Sequence, residues 1–227
     1  MTYDAFLELV KARRSVRRYK PDPVADEDIE KIVEAARWAP SGFNSQLWEF
    51  VVVRKPELRR QIGSIIGEAR QRLFKGKAPT PNSENGPPQK IDVGWQEAPV
   101  FMLVFGDTRV RPLSHVPPVR TDDEKWTAVF YASLAVAFQH AALAAVSLGL
   151  GSQWMSAVQV PDVEAKIKDM LGVPEPLKIF DMLVLGYPEA MPPEKKMRPT
   201  KELIHFDDCG VDDFRTDEQV SMYFNNK

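Results

Sequence analysis

The sequence predicts an α+β domain in which helices cover both faces of one central sheet, giving three layers. Three observations carry this expectation. Amphipathic helical periods alternate with short apolar runs of strand length, and no internal repeat organises them. With 227 residues and 44% hydrophobic content, the chain is long enough to bury one full core. One helical stretch is apolar on nearly every side, as befits the centre of a large core or a helix shared with a second subunit.

Between Asp26 and Ala39, Ile29, Ile32, Val33 and Ala36 recur at helical spacing behind an Asp suited to capping the first turn. Pro40 closes this helix, and PSGFNSQ follows with turn residues that let a backbone approach a ligand. LWEFVVVR, Leu47 to Arg54, is aromatic and β-branched and reads as a strand. Pro56 opens a second amphipathic helix marked by Leu58, Ile62, Ile65, Ile66 and Ala69, running to about Phe74. KGKAPTPNSENGPPQK, Lys75 to Lys90, reads as a long flexible loop or lid, spanning about 75–95 at its widest.

PVFMLVFG, Pro99 to Gly106, has the continuous apolar character of a buried strand. After a proline-bearing loop, a long helix opens on Asp122, Asp123 and Glu124 and closes on glycines at 149 and 151. Its apolar run, Ala128 to Leu148, approaches the length of a membrane span. Ser133, Gln139, His140 and Ser147 interrupt that run and many of its residues are only Ala, so a core helix is favoured and no membrane partner is expected. Close approach of two alanine-rich helices favours a dimer. PDVEAKIKDMLG from Pro161 gives another helix ending at Gly172, and LKIFDMLVLGYP from Leu177 gives a further strand. Beyond Pro192 the chain is polar. From about residue 199 it is expected to form a C-terminal arm without a domain of its own, leaving residues 1–227 as a single domain.

Charge and composition exclude several functions. Thirty basic against thirty-two acidic residues leave a net charge of -2, so the chain as a whole has no polyanion-binding character and no nucleic-acid partner is expected. The start MTYDAFLELVKARR lacks the apolar stretch of a signal peptide, and a cytoplasmic location is expected. Cys209 is alone and sits beside Asp207 and Asp208, which disfavour a thiolate nucleophile. His115, His140 and His205 are too scattered for a one-element metal site, and no metal is expected. No phosphate-cradling glycine loop or nucleophile elbow is present, so an enzyme built on this chain would place its hard chemistry in a bound cofactor.

Against this neutral background RRSVRRYK, Arg13 to Lys20, puts five cations in eight residues. From charge alone it is a nucleic-acid arm, a solvated surface or a socket for one phosphate. Taken with APSGFNSQLWEF, SLGLGSQWMSA and EKKMRPTKELIHFD, it resembles the FMN-dependent nitroreductase family, in an order and spacing that cover the chain from Phe6 to Asp207. That resemblance implies a nitroreductase-like three-layer fold with a central mixed sheet and an intertwined homodimer. It implies FMN in two clefts lined by both subunits, NADH or NADPH as reductant, and a small electron-poor acceptor such as a nitroaromatic or quinone.

The resemblance also implies roles for residues. Arg13 would bind the FMN phosphate, joined by Lys196 and Arg198, with Ser15 on the phosphate and ribityl side and Arg14 near the ring. Arg17 would direct its cation at the N1 and O2 edge of the flavin, where reduction leaves negative charge. Arg18 and Lys20 are expected at the surface. Pro40, Ser41, Gly42 and Asn44 would line the ribityl chain and ring from the second subunit, with Phe43 facing substrate. Trp154, Met155 and Ser156 would lie against the isoalloxazine, near the N5 atom that takes the hydride; no side chain is assigned as catalytic. Ser156 departs from a carboxylate and Leu47 from a proline found in well-known members. Glu68, Arg70, Gln71 and Arg72 are equal candidates for a further polar contact, and none is carried over. Reductive dehalogenation, oxygen-dependent flavin fragmentation and flavin binding without turnover are the alternatives.

Overall fold

The computed structural model describes residues 1–74, 94–110, 123–210 and 213–225. They form two compact units, Met1–Pro192 and Pro193–Lys227. The expected loop at Lys75 to Lys90 lies outside the described residues.

In the first unit, α1 (Tyr3–Ala12) is followed by α2 (Asp26–Arg37), β1 (Trp48–Val53), α3 (Pro56–Phe74), β2 (Val100–Asp107) and α4 (Asp123–Ser147). Then come β3 (Gly151–Met155), α5 (Pro161–Leu171) and β4 (Leu177–Gly186). The strands form one sheet in the order β1-β2-β4-β3, antiparallel at every ladder. The mixed sheet expected from resemblance is therefore antiparallel in its named strands. Among the described residues its parallel component is a single bridge between Ser15 and Ser152.

The alternation of side chains along β2 separates the layers. Val100, Met102 and Val104 point into a cluster with Ile29, Ile32 and Ala36 of α2 and Leu134, Phe138 and Ala141 of α4. Phe101, Leu103 and Phe105 point the other way, into a cluster with Ile62 and Ile66 of α3 and Val163 and Ile167 of α5. A strand apolar on both faces is buried on both, which is why PVFMLVFG shows no polar alternation.

Asp26 does not cap α2. The cap position is Ala25, which makes no side-chain bond, and Asp26, Glu27 and Asp28 instead lie in the first turn, where their charge favours the helix dipole. Asp26 is also paired with Arg54. At the far end of α5 the expected glycine stop holds: Gly172 has φ +67°, a conformation without steric cost only for glycine. By length and composition α4 could cross a membrane. It instead packs Leu134, Ala137, Phe138, Ala141 and Ala145 at zero exposure inside the unit.

In the second unit, within the expected C-terminal arm, α6 covers Asp217–Asn225. Arg198 donates to the Glu202 carbonyl at 2.9 Å and pairs with its carboxylate, and His205 lies 4.9 Å from the Phe214 ring.

Candidate active site

The basic stretch is an extended strap on the edge of the sheet. α1 ends at Arg13, whose extended backbone still donates to the Leu9 carbonyl. The Val16 amide donates to Ser152 at 2.9 Å, and further on the Lys20 amide donates to Tyr187 at 2.8 Å. Val16 and Tyr19 are buried anchors in the α3–α5 cluster, and the Tyr19 hydroxyl donates to the Val16 carbonyl at 2.7 Å. Burial raises the Tyr19 phenol well above its ordinary range. Val16 packs so close to β3 that a Cβ on Gly151 would lie 2.7 Å from its Cγ2.

These anchors sort the cations. Arg13, Arg14 and Ser15 are half-buried, whereas Arg17, Arg18 and Lys20 are exposed. Arg14 donates to the Pro192 carbonyl and Arg17 to the Ser15 carbonyl, each at 3.4 Å. Among the described residues the Arg13 guanidinium has no hydrogen bond or ion pair. A half-buried cation held on a fixed strap without a carboxylate is ready for an anion from outside the chain.

The loop after α2 is a second fixed element. Phe43, Asn44 and Gln46 all have positive φ, at 59°, 52° and 45°. Non-glycine residues there cost roughly 1 kcal/mol each, and Asn bears it best. The loop's own bonds hold them: Asn44 N–H to the Ser41 carbonyl at 2.9 Å, Ser45 N–H to Gly42 at 3.1 Å and Gln46 N–H to the Ser41 hydroxyl at 3.0 Å. The Gly42 amide is tied to Ser133 of α4 at 3.1 Å, and a Cβ on Gly42 would lie 2.2 Å from Val129 Cγ1. Ser41 and Gly42 therefore build the loop, while Phe43, 52% exposed, and Asn44 project from it with exposed Pro40 alongside.

The third element, β3, was not legible as a strand. Consecutive strand residues face opposite ways, so the Trp154 and Met155 side chains lie on opposite faces of the sheet. Met155 is 5% exposed, and its side chain belongs to the α3–α5 core. Trp154 faces α4 and is 43% exposed. Its ring lies 4.2 Å from Phe138 and 5.9 Å from Phe180, and its indole N–H donates to the Asp181 carboxylate. Burial pushes the Asp181 carboxyl up to about 6, against the bonds from Trp154 and Gln159. Ser156 is exposed at the start of the 3-10 turn Ser156–Gln159.

Two residues escaped the sequence reading. Gln153 has a buried side-chain oxygen without a hydrogen-bond partner among the described residues, next to the Ser15–Ser152 bridge. Asp181 is the one acid within LKIFDMLVLG, and that isolation in an apolar strand was its signal. Of the candidates before the loop, Arg72 pairs with Asp162 and Glu68 accepts from Ser64. Lys196 is exposed and Arg198 half-buried in the second unit.

The family model described as the nitroreductase family matches residues 10–187. A relative from Archaeoglobus fulgidus, named "Putative NADH dehydrogenase/NAD(P)H nitroreductase", is 30% identical over 81% of this chain and 85% of its own. Iodotyrosine deiodinase 1 of Rattus norvegicus is 27% identical over 90% of this chain and 70% of its own. Among solved structures, a BluB-like flavoprotein from Clostridium difficile 630 is 28% identical and superposes with a TM-score of 0.72, covering 89% of this chain and 99% of that one. With the match spanning the strap, the loop and β3 alike, this chain belongs to the nitroreductase family.

Proposed function

We propose that the chain is an FMN-dependent oxidoreductase that draws on NADH or NADPH and passes hydride to a small, flat, electron-poor acceptor such as a nitroaromatic or quinone. Family membership supports the oxidoreductase activity and the cofactors. The observation that carries the site is the Arg13 guanidinium on its anchored strap, without an ion pair among the described residues.

The residues fit FMN. A phosphate dianion needs converging cations or amides, and Arg13 with the Ser15 hydroxyl provide a half-buried pair of donors. The Gln153 oxygen is an acceptor still to be satisfied, and the polar rim of a flavin ring carries an N–H. When bound, FMN supplies the two-electron carrier between reductant and acceptor. Arg17, exposed and held to the Ser15 carbonyl, would place positive charge at the ring edge and favour the reduced form. Asn44 would lie along the ribityl chain and ring, Phe43 would border the acceptor pocket, and the Trp154 face would exclude water from it. Holding reactants in contact supplies most of the rate gain, and no side chain need act as a nucleophile.

The loop and strap would serve clefts between two copies of the chain in a soluble, cytoplasmic homodimer. Two incompletely covered apolar surfaces support this. α1 buries none of its residues and exposes Tyr3, Phe6 and Val10 at helical spacing. On α4, Ala128, Ala132, Ala135, Val136 and Leu143 form an incompletely buried stripe. Steady-state turnover with p-benzoquinone and a nitrofuran, with NADH and NADPH in turn, tests the assignment; parallel-line ping-pong kinetics are expected. The deiodinase relatives favour a second reading, reductive dehalogenation. Iodide release from 3-iodotyrosine faster than quinone reduction would select it.

A further inference from the structure

We propose that Asp181 is a positioning residue, whose carboxylate fixes the plane of the Trp154 indole and so sets the aromatic face presented to the flavin. The second half of this statement rests on the flavin reading of the site; the first does not.

The placement begins with an irregularity in the sheet. Between β2 and β4 the register passes from Val104 opposite Asp181 to Phe105 opposite Ile179, leaving Phe180 as an extra residue. Without that bulge, Asp181 would alternate onto the same face as Ile179, inside the α3–α5 core. With it, Asp181 lies opposite Val104 and shares the α4 face with Phe138, Phe180 and Trp154. A bulge of this kind re-aims one side chain at the cost of a ladder bond.

Both carboxylate oxygens are then engaged. Oδ2 accepts from the Trp154 indole N–H, and Oδ1 accepts from the Gln159 amide at 3.1 Å. Gln159 is itself held by the Phe180 carbonyl at 2.6 Å. Phe138 lies tilted at 36° to the indole and Phe180 meets it nearly edge-on at 65°, so one part of the ring is packed and the rest is open. A hydrogen bond at the edge and aromatic contact on the ring leave the indole little rotational freedom. That is how a binding face is organised in advance of its ligand.

The fold alone does not call for an acid here. Asp181 is 2% exposed and flanked by the apolar residues Ile179, Phe180, Met182 and Leu183, and among the described residues no cation pairs with it. A buried carboxylate without a cation is destabilising, and an indole as exposed as Trp154 can satisfy its N–H with water. What the acid adds over a leucine is a directional, two-point hold.

The test uses the full-length protein in both apo and FMN-loaded form. In the apo protein, the indole 15N–1H resonance of Trp154, assigned by its loss in Trp154→Phe, should move upfield in Asp181→Leu, and Asp181→Asn, which keeps an acceptor oxygen, should restore part of the shift. In the loaded protein, Asp181→Leu should weaken FMN binding by roughly tenfold, with a changed visible flavin spectrum. Combined with Trp154→Phe, Asp181→Leu should cause no further loss, because the acid acts through the indole. An unmoved indole resonance overturns the hold itself. Additive losses of FMN affinity, or a moved resonance with unchanged FMN binding, overturn the link to the flavin. If the wild-type chain binds no FMN, the functional reading fails with that link, and the apo resonance still decides the hold.

Discussion

Replacing Gly42 by alanine should unseat the loop that carries Phe43 and Asn44. The added Cβ would lie 2.2 Å from Val129 Cγ1. Carbon atoms pack at about 3.5–4.0 Å, so loop and helix must separate by more than an ångström. Val129 cannot swing away cheaply, because a β-branched side chain on a helix has one preferred rotamer. The shift also stretches the 3.1 Å bond from the Gly42 amide to Ser133. Overpacking of this kind costs about 1–3 kcal/mol, and loss of the bond adds about 1 kcal/mol. Urea denaturation should show a lower midpoint with an unchanged slope, and quenching of flavin fluorescence should show weaker FMN binding. Val129→Ala opens the space and should recover most of both losses in the double variant. A Gly42→Ala protein with wild-type stability and FMN affinity would refute the reasoning, as would a double variant no better than the single one.

Other outcomes follow from the same geometry. Arg13→Ala should weaken FMN by about 1.5–3 kcal/mol and reduce the preference for FMN over riboflavin by the same amount, while Arg18→Ala leaves both within about 0.5 kcal/mol; parallel FMN and riboflavin titrations measure it. Arg17→Ala should lower the potential of the bound flavin far more than Arg18→Ala, read by equilibration with a redox dye, and equal potentials would refute its place at the ring edge. The Asp181 carboxyl, at about 6 in the fold against 3.8 ordinarily, holds a proton that the unfolded chain has released. Its contribution therefore falls as pH rises from about 4 to 6, by on the order of 3 kcal/mol. Asp181→Asn should lose that component of the pH dependence of the urea midpoint; parallel wild-type and variant profiles would contradict it.

What could be read from the sequence was what local chemistry encodes. α3 runs from Pro56 to Phe74 as its proline start and apolar period require, and β2 is buried on both faces as its unbroken apolar run demands. RRSVRRYK was sorted by resemblance and not by local pattern; in the structure the burial of Val16 and Tyr19 leaves Arg17, Arg18 and Lys20 outside. Strand direction was less accessible. Each connection between neighbouring strands is long, so chain order does not separate parallel from antiparallel pairing, and the sheet proved antiparallel. β3 was hidden because GSQWM has neither an apolar run nor a clean alternation, and its existence depends on the edge of β4. The hold of Asp181 on Trp154 joins residues 27 positions apart through a bulge, which no local pattern announces. Nor does spacing show that Ser41 spends its carbonyl and hydroxyl within its own loop.

The most direct measurement is anaerobic. The purified protein, reconstituted with FMN and freed of excess, should be yellow, with about one flavin per chain. Stoichiometric NADH or NADPH should bleach its visible absorption, and a nitroaromatic or quinone should restore it. A chain that cannot be reconstituted with FMN, or one whose bound flavin stays oxidised in the presence of both nicotinamides, would contradict the account.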